Sequence, residues 1–175
     1  MNSGLLHAYI GDGKGKTTAA IGLAARVAGC GRRVVFGQML KGRQTGEIAS
    51  LKALGVIVIR SEYERGFIWE MDDERKEAFK QEQIRLFGEI RDAAYGETET
   101  GLVVFDEALD VIKMGMLDEW SVRDLLEKKP EQLEMVFTGR GAPEWFLEKA
   151  DYVTEMKKIK HPFDLGIKAR KAIEF

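Results

Sequence analysis

The stretch Tyr9-Ile10-Gly11-Asp12-Gly13-Lys14-Gly15-Lys16-Thr17-Thr18 constrains this chain more than any other. An apolar run from Leu5 to Ile10 precedes it, and an alanine-rich segment that reads as a helix follows. Strand, glycine-rich loop and helix N-terminus come in the order a phosphate-binding loop requires. Glycines let backbone N–H groups converge on an anion without Cβ clashes, and the helix start adds unpaired donors and the positive end of its dipole. Lys16 supplies a mobile positive charge, and Thr17 a hydroxyl for a magnesium ion riding on the phosphates. The spacing departs from the usual G-x-x-x-x-G-K-[ST]. Counting back from Gly15-Lys16-Thr17, Ile10 stands where the first glycine belongs, and Gly11 makes the loop one residue tighter.

The rest of the chain alternates strand and helix patterns, which predicts an α/β fold with a predominantly parallel sheet flanked by helices. Lys16 to Ala28 reads as the first helix, with Ala20, Leu23, Ala24 and Val27 at helical spacing toward the sheet and Arg26 off that stripe. Arg33 to Met39 and Val56 to Ile59 read as strands, with a short helix from Glu47 to Leu54 between them. Lys41 and Arg43 fall in a basic loop at the carboxyl end of a parallel strand, where α/β ligands sit. Asp73 to Tyr95 is a long amphipathic helix with Phe79, Ile84, Leu86, Phe87 and Ile90 among its apolar positions. Ser121 is the expected cap of a helix from Val122 to Lys128. Glu134 to Phe137 and Tyr152 to Met156 are the last strands, and Lys157 to Phe175 is basic and loop-like.

Two further stretches carry chemistry. Leu102-Val103-Val104-Phe105-Asp106-Glu107 is a buried-strand pattern ending in carboxylates, about 90 residues after the loop. That arrangement brings a carboxylate to magnesium or to a water in its shell. Thr138-Gly139-Arg140-Gly141 follows a strand and offers Arg140 as a rigid two-pronged phosphate donor. Between them, Gly66-Phe67-Ile68-Trp69-Glu70 sets two aromatics two residues apart in an irregular segment, a flat surface for a large planar ligand or packing under a loop.

At 175 residues with no composition break, residues 1–175 read as one domain. A net charge of −2 argues against non-specific nucleic-acid binding as the main role. No apolar run approaches the ~20 residues of a membrane span, and the N-terminus lacks the pattern of a signal peptide, so the expected location is the cytoplasm. The single cysteine, Cys30, excludes an internal disulfide and reads as a packing residue at an apolar helix end.

Taken together, Gly11 to Thr18, Gly66 to Glu70, Phe105-Asp106-Glu107, Thr138 to Gly141 and Lys160-His161-Pro162-Phe163-Asp164-Leu165-Gly166-Ile167-Lys168-Ala169 resemble, in order, the motifs of the phosphate-loop ATP:corrinoid adenosyltransferases. The resemblance covers nearly the whole chain. It implies a homodimeric enzyme with a RecA-like α/β fold that binds MgATP and a reduced corrinoid, with a flavoprotein as the expected reductant. Co(I) would attack the 5′ carbon of ATP and release triphosphate.

By position in the motifs, Gly11, Asp12, Gly13, Lys14, Gly15, Lys16, Thr17 and Thr18 would hold the triphosphate. Arg26 and Arg140 would contact the nucleotide, and Thr17 and Glu107 would serve Mg2+. Lys16 and Arg140 would stabilise the leaving group. Phe67 and Trp69 would pack on the lower corrinoid face and displace an axial ligand. Two positions depart from the family pattern: Asp12 stands where many members have Asn, and Ala172 where a glycine is common. A carboxylate near phosphate is unfavourable unless it faces magnesium or a lysine. An ordinary phosphate-loop ATPase or kinase, and a nucleotide-binding module with little turnover, are the rival readings of the loop.

Overall fold

The structure is a computed structural model that describes residues 3–40, 45–61, 71–96, 99–170 and 172–173. Its centre is a six-stranded sheet in which every pairing is parallel, in the order β3-β2-β4-β5-β1-β6. The strands are β1 Leu6–Ile10, β2 Arg33–Gln38, β3 Ile57–Arg60, β4 Thr100–Asp106, β5 Glu134–Thr138 and β6 Tyr152–Glu155. The helices are α1 Lys16–Gly29, α2 Glu47–Ala53, α3 Asp73–Ala94, α4 Ala108–Lys113, α5 Glu119–Glu127 and α6 Glu144–Lys149. A 3-10 turn, Pro162–Leu165, follows β6.

The middles of the central strands, Val34 to Phe36, Leu102 to Phe105 and Met135 to Phe137, are apolar because both of their faces are covered. Successive residues point to opposite sides. Val34, Phe36, Leu102, Val104 and Val136 pack under α1 and α2 with Ala20, Ala24 and Leu51. Val35, Val103, Phe105, Met135 and Phe137 pack on the other face with the apolar sides of α3, α4, α5 and α6. There Phe105 stacks on Phe137 with centroids 4.6 Å apart, and Phe137 meets Phe146 edge-on at 4.9 Å. Ala20 and Ala24 are buried, and Leu23 and Val27 pack against the same cluster, as their spacing predicts.

Four local expectations are corrected. Helix α5 begins at Glu119, and its cap is Asp118, whose Oδ1 accepts the Ser121 N–H at 2.8 Å while Oδ2 accepts the Ser121 hydroxyl at 2.6 Å. Asp118 is the stronger acceptor, so Ser121 serves as donor and the helix gains a turn. Ile84 is 40% exposed, and the buried position beside it is Gln83, whose Oε1 accepts the Leu40 N–H at 3.2 Å. Cys30 is exposed at the C-cap of α1, where the chain turns at Gly31 (φ 75°). Strand β4 starts at Thr100, two residues early, because Thr100 pairs with Arg33 of β2, whose guanidinium also donates to the Thr100 hydroxyl and to Ala93 O.

Candidate nucleotide site

An all-parallel sheet brings every carboxyl end to one edge, and the strand order sets β1, β5 and β4 side by side. The loop after β1, the Asp106-Glu107 pair after β4 and the Thr138-Gly139-Arg140 turn after β5 therefore share one crevice. A cavity of about 650 Å³ opens there. Asp12, Gly13, Lys14, Gly15, Lys16, Thr17, Thr18, Glu107 and Arg140 all line it. Gly11 stands just behind: its carbonyl accepts Lys16 Nζ at 2.6 Å, and Gly13 O accepts the same ammonium at 2.8 Å.

The loop reaches its shape through glycine. Gly11 and Gly15 have φ of 111° and 121°, values that L side chains rarely adopt. Helix α1 then starts at Lys16 with no acidic residue in its first turn and no side-chain cap among the described residues. Its first N–H groups and the positive end of its dipole face the cavity, an arrangement that selects an anion. Burial holds the Lys16 ammonium below its usual pKa, the Asp110 carboxylate opposes that shift, and the Arg140 charge adds to it. A phosphate in the cavity would relieve the cost of this half-buried charge.

Thr17 Oγ1 donates to Asp106 Oδ1 at 2.9 Å, and Thr138 Oγ1 donates to the same oxygen at 2.7 Å. Thr138 Oγ1 also accepts the Glu107 N–H at 2.8 Å, which holds Glu107 in a left-handed conformation (φ 63°) at the cavity wall. The carboxylate that touches Thr17 is thus Asp106, fully buried, while Glu107 faces the cavity beside it. Thr17 and Asp106 are in contact and Glu107 lines the cavity beside them, three hard oxygen donors of the kind magnesium takes. The described residues hold no group of three His, Cys, Asp or Glu side chains able to cage a metal. That donor set suits an ion carried largely by phosphates and water.

Asp110 escaped the sequence reading. Asp110 on α4 accepts the Arg140 N–H with both carboxylate oxygens, each at 3.0 Å, and so fixes the turn that presents Arg140. Its signal was only an acidic residue one turn after the Asp-Glu pair. His161 lines the cavity with Ala172 and Ile173, and its Nδ1 accepts the Phe163 N–H at 3.2 Å. Arg26 lies in the last turn of α1, outside the cavity lining and near Tyr9. Phe67 and Trp69, with Lys41 and Arg43, lie outside the described residues. His7 is also away from the cavity and pairs with Glu134 Oε1 at 2.5 Å.

Fold and cavity together define a phosphate-loop nucleotide-binding protein of the RecA-like α/β type. The chain belongs to the ATP:corrinoid adenosyltransferase family, whose profile, described as ATP:corrinoid adenosyltransferase BtuR/CobO/CobP, matches residues 2–175. It is similar to the corrinoid adenosyltransferase of Pseudomonas aeruginosa, with 36% identity over 98% of this chain and 84% of that one. The corrinoid adenosyltransferase of Escherichia coli K12 is 31% identical over 98% of this chain and 86% of its own length. That of a Sinorhizobium species is 35% identical over 98% and 80%. No helix among the described residues is long and apolar enough to cross a membrane.

Proposed function

We propose that this chain transfers the 5′-deoxyadenosyl group of ATP to the Co(I) centre of a corrinoid. The observation that carries this reading is the extent of the family match. It runs past the loop and the Asp106-Glu107 pair to the segment that brings His161, Ala172 and Ile173 to the cavity. A match confined to the phosphate loop would fit any ATPase or kinase equally well.

In the reaction the Co(I) electron pair attacks C5′ of ATP. The cobalt–carbon bond forms, the bond from C5′ to the α-phosphate oxygen breaks, and triphosphate departs with that electron pair. Co(I) is itself a strong nucleophile, so no side chain needs to remove a proton. The work left to the protein is alignment and stabilisation of the leaving charge. Lys14, Lys16 and Arg140 surround the cavity that would take the triphosphate, and the α1 N-terminus and the N–H groups of the glycine loop add fixed donors. Thr17, Asp106 and Glu107 would hold Mg2+, which when bound neutralises part of the phosphate charge. Phe67 and Trp69 are assigned to the corrinoid as an apolar surface against its lower face, and Arg26 to the nucleotide. The same reading extends to a cytoplasmic homodimer, one adenosyltransferase domain per chain, supplied with Co(I) by a flavoprotein.

The test is anaerobic mixing of the protein with MgATP and chemically reduced cobalamin. The expected result is growth of a light-sensitive alkylcobalamin spectrum with one triphosphate per corrinoid. ADP and orthophosphate with an unchanged corrin spectrum would overturn the proposal in favour of an ordinary phosphate-loop ATPase.

A further inference from the structure

A phosphate loop is a poor place for a carboxylate, yet this one carries Asp12. Its Oδ1 accepts the backbone N–H of Lys158, 146 residues away, at 3.0 Å. Two more hydrogen bonds join the same two segments: Gly13 N–H donates to Met156 O at 2.7 Å, and Met156 N–H donates to Ile10 O at 2.8 Å. The approach is so close that a Cβ built on Gly11 or Gly13 would lie 2.3 or 2.6 Å from Met156 O. Glycine at those positions therefore serves a second purpose, letting the chain after β6 lie directly against the loop. Beyond Lys158 the path is tied again by Lys158 Nζ to Asp164 Oδ1 at 3.1 Å, and His161 begins the 3-10 turn at the cavity mouth.

We infer that Asp12 is a positioning residue and not a phosphate ligand: its carboxylate clasps the Lys158 backbone to the loop and so sets His161, Ala172 and Ile173 as the outer wall of the nucleotide cavity. Two physical arguments support it. A carboxylate turned to the triphosphate would meet like charge, whereas one turned to an N–H gains a charge-assisted hydrogen bond. The exposed side chain would also gain nothing from burial, so its placement reports the bond itself. The Lys158 N–H is the main cause that holds the Asp12 carboxyl below its usual pKa, with the Lys158 and Lys16 charges acting in the same direction. The clasp stands on geometry alone. Its effect on ATP rests on the proposed function.

Trypsin on the nucleotide-free protein reads the clasp directly, because Lys157, Lys158 and Lys160 are exposed cleavage sites within and just after it. Asp12→Ala removes the acceptor, and cutting at these lysines is expected to be on the order of tenfold faster, as loss of one charge-assisted hydrogen bond from a local opening equilibrium implies. Asp12→Asn keeps an acceptor oxygen and is expected to be cut at a rate between wild type and Asp12→Ala. Equal rates for wild type and Asp12→Ala would overturn the clasp, and so would Asp12→Asn being cut as fast as Asp12→Ala. In turnover assays Asp12→Ala is expected to raise KM for ATP several-fold with a smaller change in kcat. An unchanged KM beside faster cutting would overturn the outer-wall role. Since cleavage is read without nucleotide or corrinoid, a wild-type protein that fails to alkylate cobalt would sink the proposed function and leave the clasp standing.

Discussion

Thr17 and Asp106, 89 residues apart in the chain, meet through a 2.9 Å hydrogen bond from the threonine hydroxyl to Oδ1. Thr138 donates to the same oxygen, so a single buried atom joins the first turn of α1 to the ends of β4 and β5. Asp106→Ala removes the acceptor that both hydroxyls share and should lower stability by about 1–3 kcal/mol. Asp106→Asn retains an acceptor there but loses the charge that would attract magnesium. Its defect is expected mainly as a higher magnesium requirement in the adenosylation assay, with a smaller fall in Tm than Asp106→Ala shows.

The half-buried Lys16 sets two opposite pH trends. Its pKa in the folded protein lies below the usual 10.5, chiefly through burial. Between those two pKa values the unfolded chain binds more protons than the folded one, so stability of the nucleotide-free protein gains from this group as pH rises. ATP needs the ammonium, so nucleotide affinity falls across the same window, earlier than an ordinary lysine would allow. Lys16→Arg keeps its charge through this range. ATP titrations from neutral to alkaline pH should show the fall in wild type and its disappearance in Lys16→Arg.

Gly13 and Gly22, nine residues apart in the loop–helix unit, should respond to alanine in opposite ways. At Gly13 the new Cβ would lie 2.6 Å from Met156 O and 2.8 Å from Lys157 C, both backbone atoms. The loop must move, and adenosyl transfer is expected to fall on the order of 100-fold, the scale of an ångström misplacement. At Gly22, inside α1, a Cβ meets nothing within 4 Å. Gly22→Ala should stabilise the protein by about 0.5–1 kcal/mol with turnover intact, measured by urea unfolding.

Phe137 lies between Phe105 and Phe146 and immediately precedes Thr138. Truncation to alanine should cost about 3–5 kcal/mol in denaturant unfolding through lost burial and the cavity left behind. Phe137→Leu, which keeps most of the volume, should cost clearly less.

What the sequence made legible follows from how local each signal is. The loop, the covered strands and the sheet-facing stripe of α1 are written in neighbouring residues, through glycine spacing and the periods of strand and helix. The choice between Asp106 and Glu107 was not, because both stand in one motif. Strand pleat directs Asp106 inward to Thr17 and Thr138, and a left-handed backbone directs Glu107 to the cavity. Asp12 was expected to face magnesium or a lysine; its hydrogen-bond partner is the backbone N–H of Lys158, and nothing near residue 12 identifies it. Asp118 over Ser121 as cap, and Gln83 over Ile84 as the buried side chain, were decided by tertiary surroundings that override local preference.

The place of β1 in the sheet has a consequence for how the protein is made. This strand leaves the ribosome before the other five, yet both of its neighbours come late: His7 pairs with Val136 on one side and Tyr152 on the other. Side chains that anchor its start, Glu134 and Asp151, lie 127 and 145 residues downstream of their partners. During synthesis at about 5–20 residues per second, an apolar strand and the glycine loop attached to it wait on the order of ten seconds for a partner. The nascent chain must be shielded from aggregation over that interval, and nucleotide can be captured only after β5 and β6 have been translated.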